Sequence, residues 1–177
     1  MSRPQTKSAM LIYIVLLCAI YATPVPLEEV GLYDGADWTA RLTYQHFHGS
    51  LFHLLCNAWA LLVFTFQVRT PARLFAVAYV ISATYPFVGE DIIVGVSGLI
   101  YAVAGMYAFC FYTMRRFYTY NLFFAATILL GGLFSHVAIG LHAYCYIVGA
   151  AFAFVFIPIR VPFPFITKLN NKGNEHN

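Results

Sequence analysis

Five side chains able to do acyl-transfer chemistry stand inside stretches that are otherwise apolar: His48, His53 and Asn57 in HGSLFHLLCN, Ser97 in GVSGLIYAVAG, and His142 in GLHAYCYIVG. A serine hydroxyl is a weak nucleophile until a base takes its proton, and histidine, titrating near neutral pH, is the usual base. Ser97 and His142 supply such a pair. The tetrahedral intermediate of acyl transfer also needs donors aimed at its oxyanion, and Asn57 and His53 are capable donors. At about 100° per residue these two lie on one helix face, about 40° apart, whereas His48 points elsewhere and has a different task. Tyr101 falls one turn after Ser97, and Cys145 and Gly149 continue the face that His142 begins. No carboxylate lies within these stretches, so the expected catalyst is a dyad whose imidazole is oriented by something other than an acid. The four cysteines, Cys18, Cys56, Cys110 and Cys145, fall in apolar runs without CxxC pairing, so neither a zinc site nor a disulfide framework is indicated, and no cofactor is expected.

The elements that must hold these residues are membrane helices. Apolar residues make up 61% of the 177 and charged ones 10%, against about 25% charged in soluble domains. Six apolar runs, at about 9–25, 49–68, 74–89, 92–114, 117–134 and 139–159, approach the roughly 20 residues of a membrane-crossing helix. Closed barrels read as alternating segments of about 10 residues, which these are not. The expected fold is thus an all-α bundle of six transmembrane helices in one domain, 1–169, followed by a polar, disordered tail, 170–177. Nine of the ten basic residues fall on one side of that alternation and six of the seven acidic ones on the other, so both termini are expected in the cytoplasm. The net charge of +3 follows from topology and gives no nucleic-acid reading.

With this orientation the second, fourth and sixth spans run inward from the outer face, and each carries its polar residues in its first turns. The three sets therefore sit at similar depth around one water-accessible cavity. Gly95 and Gly98 flank Ser97, and Gly98, Ala102 and Gly105 form a small-residue face that lets helices approach closely. The loop 26–47, with Leu32, Tyr33, Trp38 and Leu42, is long enough to fold at the interface. His136 competes with His142 as base from an expected outer loop, and His46 and His176 read as loop and tail residues.

These motifs resemble those of the rhomboid intramembrane serine proteases. His48, His53 and Asn57 reproduce HxxxxHxxxN, Gly95-Val96-Ser97-Gly98 matches GxSG, and His142 with Gly149 matches HxxGxxxG apart from Cys145 at the first glycine. The resemblance implies Ser97 as nucleophile and His142 as general base and acid. It implies an oxyanion site of His53, Asn57 and the Ser97 backbone N–H, with His48 bracing the cavity and Tyr101 stacked on His142. Its implied substrates are transmembrane segments of other membrane proteins, entering from the bilayer past the second and fifth spans and cut near the outer face. A prokaryotic cytoplasmic membrane is the expected location. The sequence departs from the family at Cys145, in the spacing Trp38-Thr-Ala-Arg41, and at Gln67, where many bacterial members carry an acid. An inactive client-binding relative would usually lack the serine or the histidine. A small transporter would show an intramembrane charge or discontinuous helices in paired halves.

Overall fold

Unbroken apolar runs wind into helices here, and prolines and left-handed residues end them. A computed structural model describes residues 3–111, 113–131 and 138–156. Among these the chain is helical without β-strands: α1 (Arg3–Tyr21), α2 (Leu27–Val30), α3 (Ala40–Thr43), α4 (Leu51–Leu62), α5 (Ala72–Ala83), α6 (Ser97–Met106), α7 (Met114–Gly131) and α8 (Ile139–Phe156). A 3-10 turn, Tyr44–His46, extends α3, and a π turn, Val63–Gln67, extends α4.

α1 stops before Thr23-Pro24-Val25-Pro26, where each proline removes a donor and bars the α conformation from the residue before it. α4 opens on Ser50, whose hydroxyl accepts the His53 N–H at 3.2 Å, satisfying one of the donors left free at a helix start. α4 closes through the π turn, where Val68 N–H reaches the Val63 carbonyl, and then through Arg69 in the left-handed region at φ +61°. α5 ends ahead of Tyr85-Pro86.

α6 is the centre of the molecule: nine of its ten residues are buried, which only a helix walled on all sides achieves. Its largest interface is with α8, its next with α5. Two glycines set the first of these. A Cβ on Gly149 would fall on the Ala102 carbonyl, and one on Gly105 on the Tyr146 carbonyl, so the two backbones touch. Tyr120, Asn121 and Tyr146 lace α7 to this pair, with Tyr120 donating to the Ala104 carbonyl at 2.8 Å and Tyr146 to Asn121 Oδ1 at 2.7 Å.

The six expected spans are only partly matched. Among the described residues, two helices are long and apolar enough to cross a bilayer, Pro4–Tyr21 and Ile139–Phe156, with a third if Ala40–His46 and Leu51–Gln67, bent by 91°, are joined. α5 and α6 are apolar but only 12 and 10 residues long. The span expected at 92–114 contracts to Ser97–Met106 because Ile93 pairs in extended conformation with Leu32 and Gly95 takes φ +112°, neither compatible with a helix. Residues 132–134, His136 and everything beyond 156, including the polar tail, lie outside the described residues.

Candidate functional site

The site is built where the starts of α4, α6 and α8 meet. On α4 the capped first turn fixes His53, and Asn57 follows one turn later on the same face. His48, just before the helix, is buried edge-on to His53, with ring centroids 5.1 Å apart and planes at 69°.

The segment before α6 is held from outside by the 26–47 loop. Leu32 and Ile93 exchange both backbone hydrogen bonds at 2.9 Å, and the Tyr44 carbonyl accepts the Gly95 N–H at 2.9 Å. Gly95 at φ +112° turns the chain sharply while lying against α4. A Cβ there would come within 2.6 Å of His53 Cε1, 2.8 Å of His53 Nε2 and 3.5 Å of Asn57 Nδ2. His53 and Asn57 thus converge on the backbone two residues before Ser97.

Ser97 is the first residue of α6. Its own N–H and those of the next two residues have no intrahelical acceptor, and no side chain caps them. A helix start of this kind favours negative charge.

His142 lies one turn into α8. Its Nε2 is 2.8 Å from Ser97 Oγ, and both residues are buried, at 6% and 7% exposure. With the ring proton on Nδ1, the serine O–H donates to Nε2. Tyr101 stacks on the imidazole at 4.3 Å between centroids and 23° between planes. His142 Nδ1 has no hydrogen-bond partner among the described residues, so the ring is oriented by this stacking rather than by an acid. Asn57 Nδ2 is likewise buried without a partner among the described residues, a donor left free beside Gly95.

The profile of the Rhomboid domain matches residues 35–160 of the chain. The chain belongs to the rhomboid family. No curated protein sequence matches it. Rhomboid membership and the apolar helices together make it a membrane-embedded protein.

The rhomboid scaffold brings together Ser97, His142 and Tyr101, and separately Gly95, His53, Asn57 and His48. The small-residue face expected on α6, Gly98, Ala102 and Gly105, lies against α8. Gly98 abuts the Ser82 hydroxyl of α5 and Leu141 of α8, and Gly105, about two turns on, meets the α8 backbone at Tyr146. Cys145, one of the departures from the family pattern, is fully buried, and α6 and α8 meet backbone to backbone at Gly149, one turn further on. Trp38 is 71% exposed, while Arg41 donates to the Tyr85 carbonyl at 2.6 Å, so these two serve different surroundings. Glu90 and Asp91 are exposed in the loop before Ile93. Asp37 is held below the usual carboxylate range, chiefly by the Thr39 N–H at 2.8 Å.

Sequence reasoning missed Tyr44 and Ser82. Tyr44 is fully buried; its phenol lies 2.6 Å from Ser82 Oγ and donates to the Ser82 carbonyl at 2.9 Å, while its own carbonyl holds Gly95. It also read His46 only as a loop residue. His46 is instead half-buried, 3.1 Å from the Tyr13 hydroxyl and stacked on Tyr79. The only available signal was the density of aromatic and amide residues in TYQHFH, an unusual content for a connecting loop.

Proposed function

We propose that this rhomboid is an intramembrane serine endopeptidase that cleaves transmembrane segments of other membrane proteins through a Ser97–His142 dyad. The observation carrying the reading is the 2.8 Å approach of His142 Nε2 to Ser97 Oγ inside a buried site. Ser97 Oγ attacks the scissile carbonyl carbon as its proton passes to Nε2. The oxyanion forms against Asn57, His53 and the Ser97 N–H. His142 then protonates the departing amine, and a water activated by the same imidazole hydrolyses the acyl-serine ester, returning the proton to Oγ.

The finer topology belongs to the same proposal: six spans, both termini cytoplasmic, in a prokaryotic cytoplasmic membrane, with the short α6 sheltered inside the bundle. Substrate segments enter between α4 and α7, whose outward faces are apolar, with Phe52, Leu55 and Trp59 exposed on one and Leu122, Phe123 and Leu129 on the other. One domain, 1–169, carries the activity, with no metal or cofactor in the scheme.

The test is cleavage of a model transmembrane substrate by purified protein in liposomes. Wild type is expected to cleave while Ser97→Ala and His142→Ala do not, and a fluorophosphonate probe is expected to label wild type but not Ser97→Ala. Equal processing by all three proteins overturns the assignment, and a silent, unlabelled wild type points to a client-binding member of the family.

A further inference from the structure

At the far end of α4 from His53, a cavity of about 450 Å³ opens between the start of α1, the π turn and the start of α5. Lys7 and Arg69 line it together with Thr6, Thr65, Thr70 and Pro71, and among the described residues none of its lining is acidic. The Lys7 ammonium is held 5.2 Å from the centre of the Phe66 ring. Two cations gathered on one cavity without a carboxylate attract an anion.

Thr70 is 2% exposed, and its hydroxyl makes no hydrogen bond of ordinary geometry with the described protein atoms. The Tyr107 phenol is close enough to interact with it but does not meet that geometry. A buried hydroxyl in a basic cavity is a donor awaiting an oxygen. α5, 12 residues long, begins beside it at Pro71 with no side-chain cap, adding free backbone donors and the positive end of the helix.

A second hollow adjoins this cavity at Thr6. From Thr6, which lines both, an apolar groove of about 250 Å³ runs between α1 and α5 past Met10, Tyr13, Ala72 and Phe75. From Thr6 to Tyr13 the helix rises about 10 Å, so the groove penetrates from the charged end into the apolar layer. A free phosphate would use the cavity alone and leave the groove unexplained.

We propose that the joined cavity and groove bind one anionic glycerophospholipid, its phosphodiester between Lys7, Arg69 and Thr70 and one acyl chain along α1 and α5. Half of this site comes from α1, which precedes the matched residues 35–160. A bound lipid would therefore seam α1 to the rhomboid domain. The proposal stands apart from proteolysis, and its readout is binding.

The test uses the full chain in detergent micelles doped with equal phosphatidylglycerol and phosphatidylcholine, read by native mass spectrometry. Wild type is expected to retain one phosphatidylglycerol in clear preference, without help from any variant. Lys7→Gln with Arg69→Gln is expected to weaken retention about thirtyfold. Thr70→Val, unchanged in charge, is expected to weaken it about fivefold, and Ala72→Phe to abolish it by filling the groove. Arg115→Gln with Arg116→Gln removes as much charge elsewhere and is expected to leave it unchanged. Melting curves in phosphatidylcholine micelles, matching wild type, establish that each variant is folded. Equal retention of both lipids by wild type, or equal loss in the Arg115/Arg116 control, overturns the proposal. So does binding of millimolar inorganic phosphate with phosphatidylglycerol ignored.

Discussion

Gly95→Ala tests how the oxyanion donors are positioned, because it adds one methyl group and alters no proposed chemical group. At φ +112° an L side chain is strained by about 1–3 kcal/mol. The new Cβ would also sit 2.6 Å from His53 Cε1 and 2.8 Å from Nε2, where carbon contacts normally begin near about 3.5 Å. The loop has little room to give, since the Tyr44 carbonyl and the Leu32–Ile93 pair tie it on the outer side. The imidazole must therefore retreat by nearly about 1 Å, a displacement that costs on the order of 10²-fold in rate at a reacting centre. Complete loss of one oxyanion donor costs about 10²–10³-fold. The expected outcome is a kcat lower by about 10²–10³ with KM changed only a few-fold, measured on a fluorogenic transmembrane substrate in liposomes. A melting temperature lower by about 2–12 °C is expected alongside. If the loss passes through His53, then Gly95→Ala combined with His53→Ala should be little worse than the more damaging single change. Turnover near wild type in Gly95→Ala, or losses that simply multiply in the double variant, would refute the positioning argument.

Tyr101→Leu removes the ring stacked on His142, an interaction worth about 0.5–1.5 kcal/mol, and is expected to slow kcat about three- to tenfold while Tyr101→Phe stays near wild type. Gly149→Val drives a side chain into the Ala102 carbonyl, where backbone rather than a flexible side chain must yield, so stability is expected to fall by about 1–3 kcal/mol or more, seen as a lower melting temperature with activity lost in parallel. Tyr44→Phe and Ser82→Ala each break the same buried hydroxyl pair and are expected to cost about 1–3 kcal/mol singly; a double-mutant cycle by thermal unfolding should give a combined loss well short of the sum.

The grouping of the site residues was more legible than the architecture. Ser97, His142, His53 and Asn57 stood out because polar groups in apolar helices are expensive, so the rarity of the residue type carries the signal even when helix boundaries are misjudged. Helical spacing put Tyr101 one turn after Ser97, and its stacking on His142 was implied by the family resemblance. The span lengths were not legible. Hydropathy treats 92–114 as one apolar run, yet Ile93 is extended and Gly95 left-handed; both are buried by a loop more than 45 residues upstream, and no local pattern encodes such pairing. Tyr44 and Ser82 were invisible for the same reason. Each is an ordinary residue in its own segment and acquires importance only when α5 meets the loop.

That contrast explains how a site can be exact in a molecule without a hydrophobic driving force between its helices. In lipid, apolar side chains gain little by leaving one apolar neighbour for another, so helix association relies on close backbone contact and on hydrogen bonds with no competing water. Both occur around Ser97 and at different distances from it. Gly105 and Gly149 bring α6 against α8 by steric fit, which sets the spacing of the Ser97–His142 pair but leaves sliding along the axis lightly opposed. The Tyr44 carbonyl on Gly95 opposes that sliding, because this bond is directional and fails if α6 shifts by a fraction of a turn, and the Tyr44 phenol on Ser82 anchors the same residue to α5. It follows that glycine substitutions should change spacing and stability at once, whereas Tyr44→Phe should impair catalysis at temperatures where the bundle is still fully folded. A Tyr44→Phe protein whose activity tracks its folded fraction at every temperature would show that the phenol contributes stability alone.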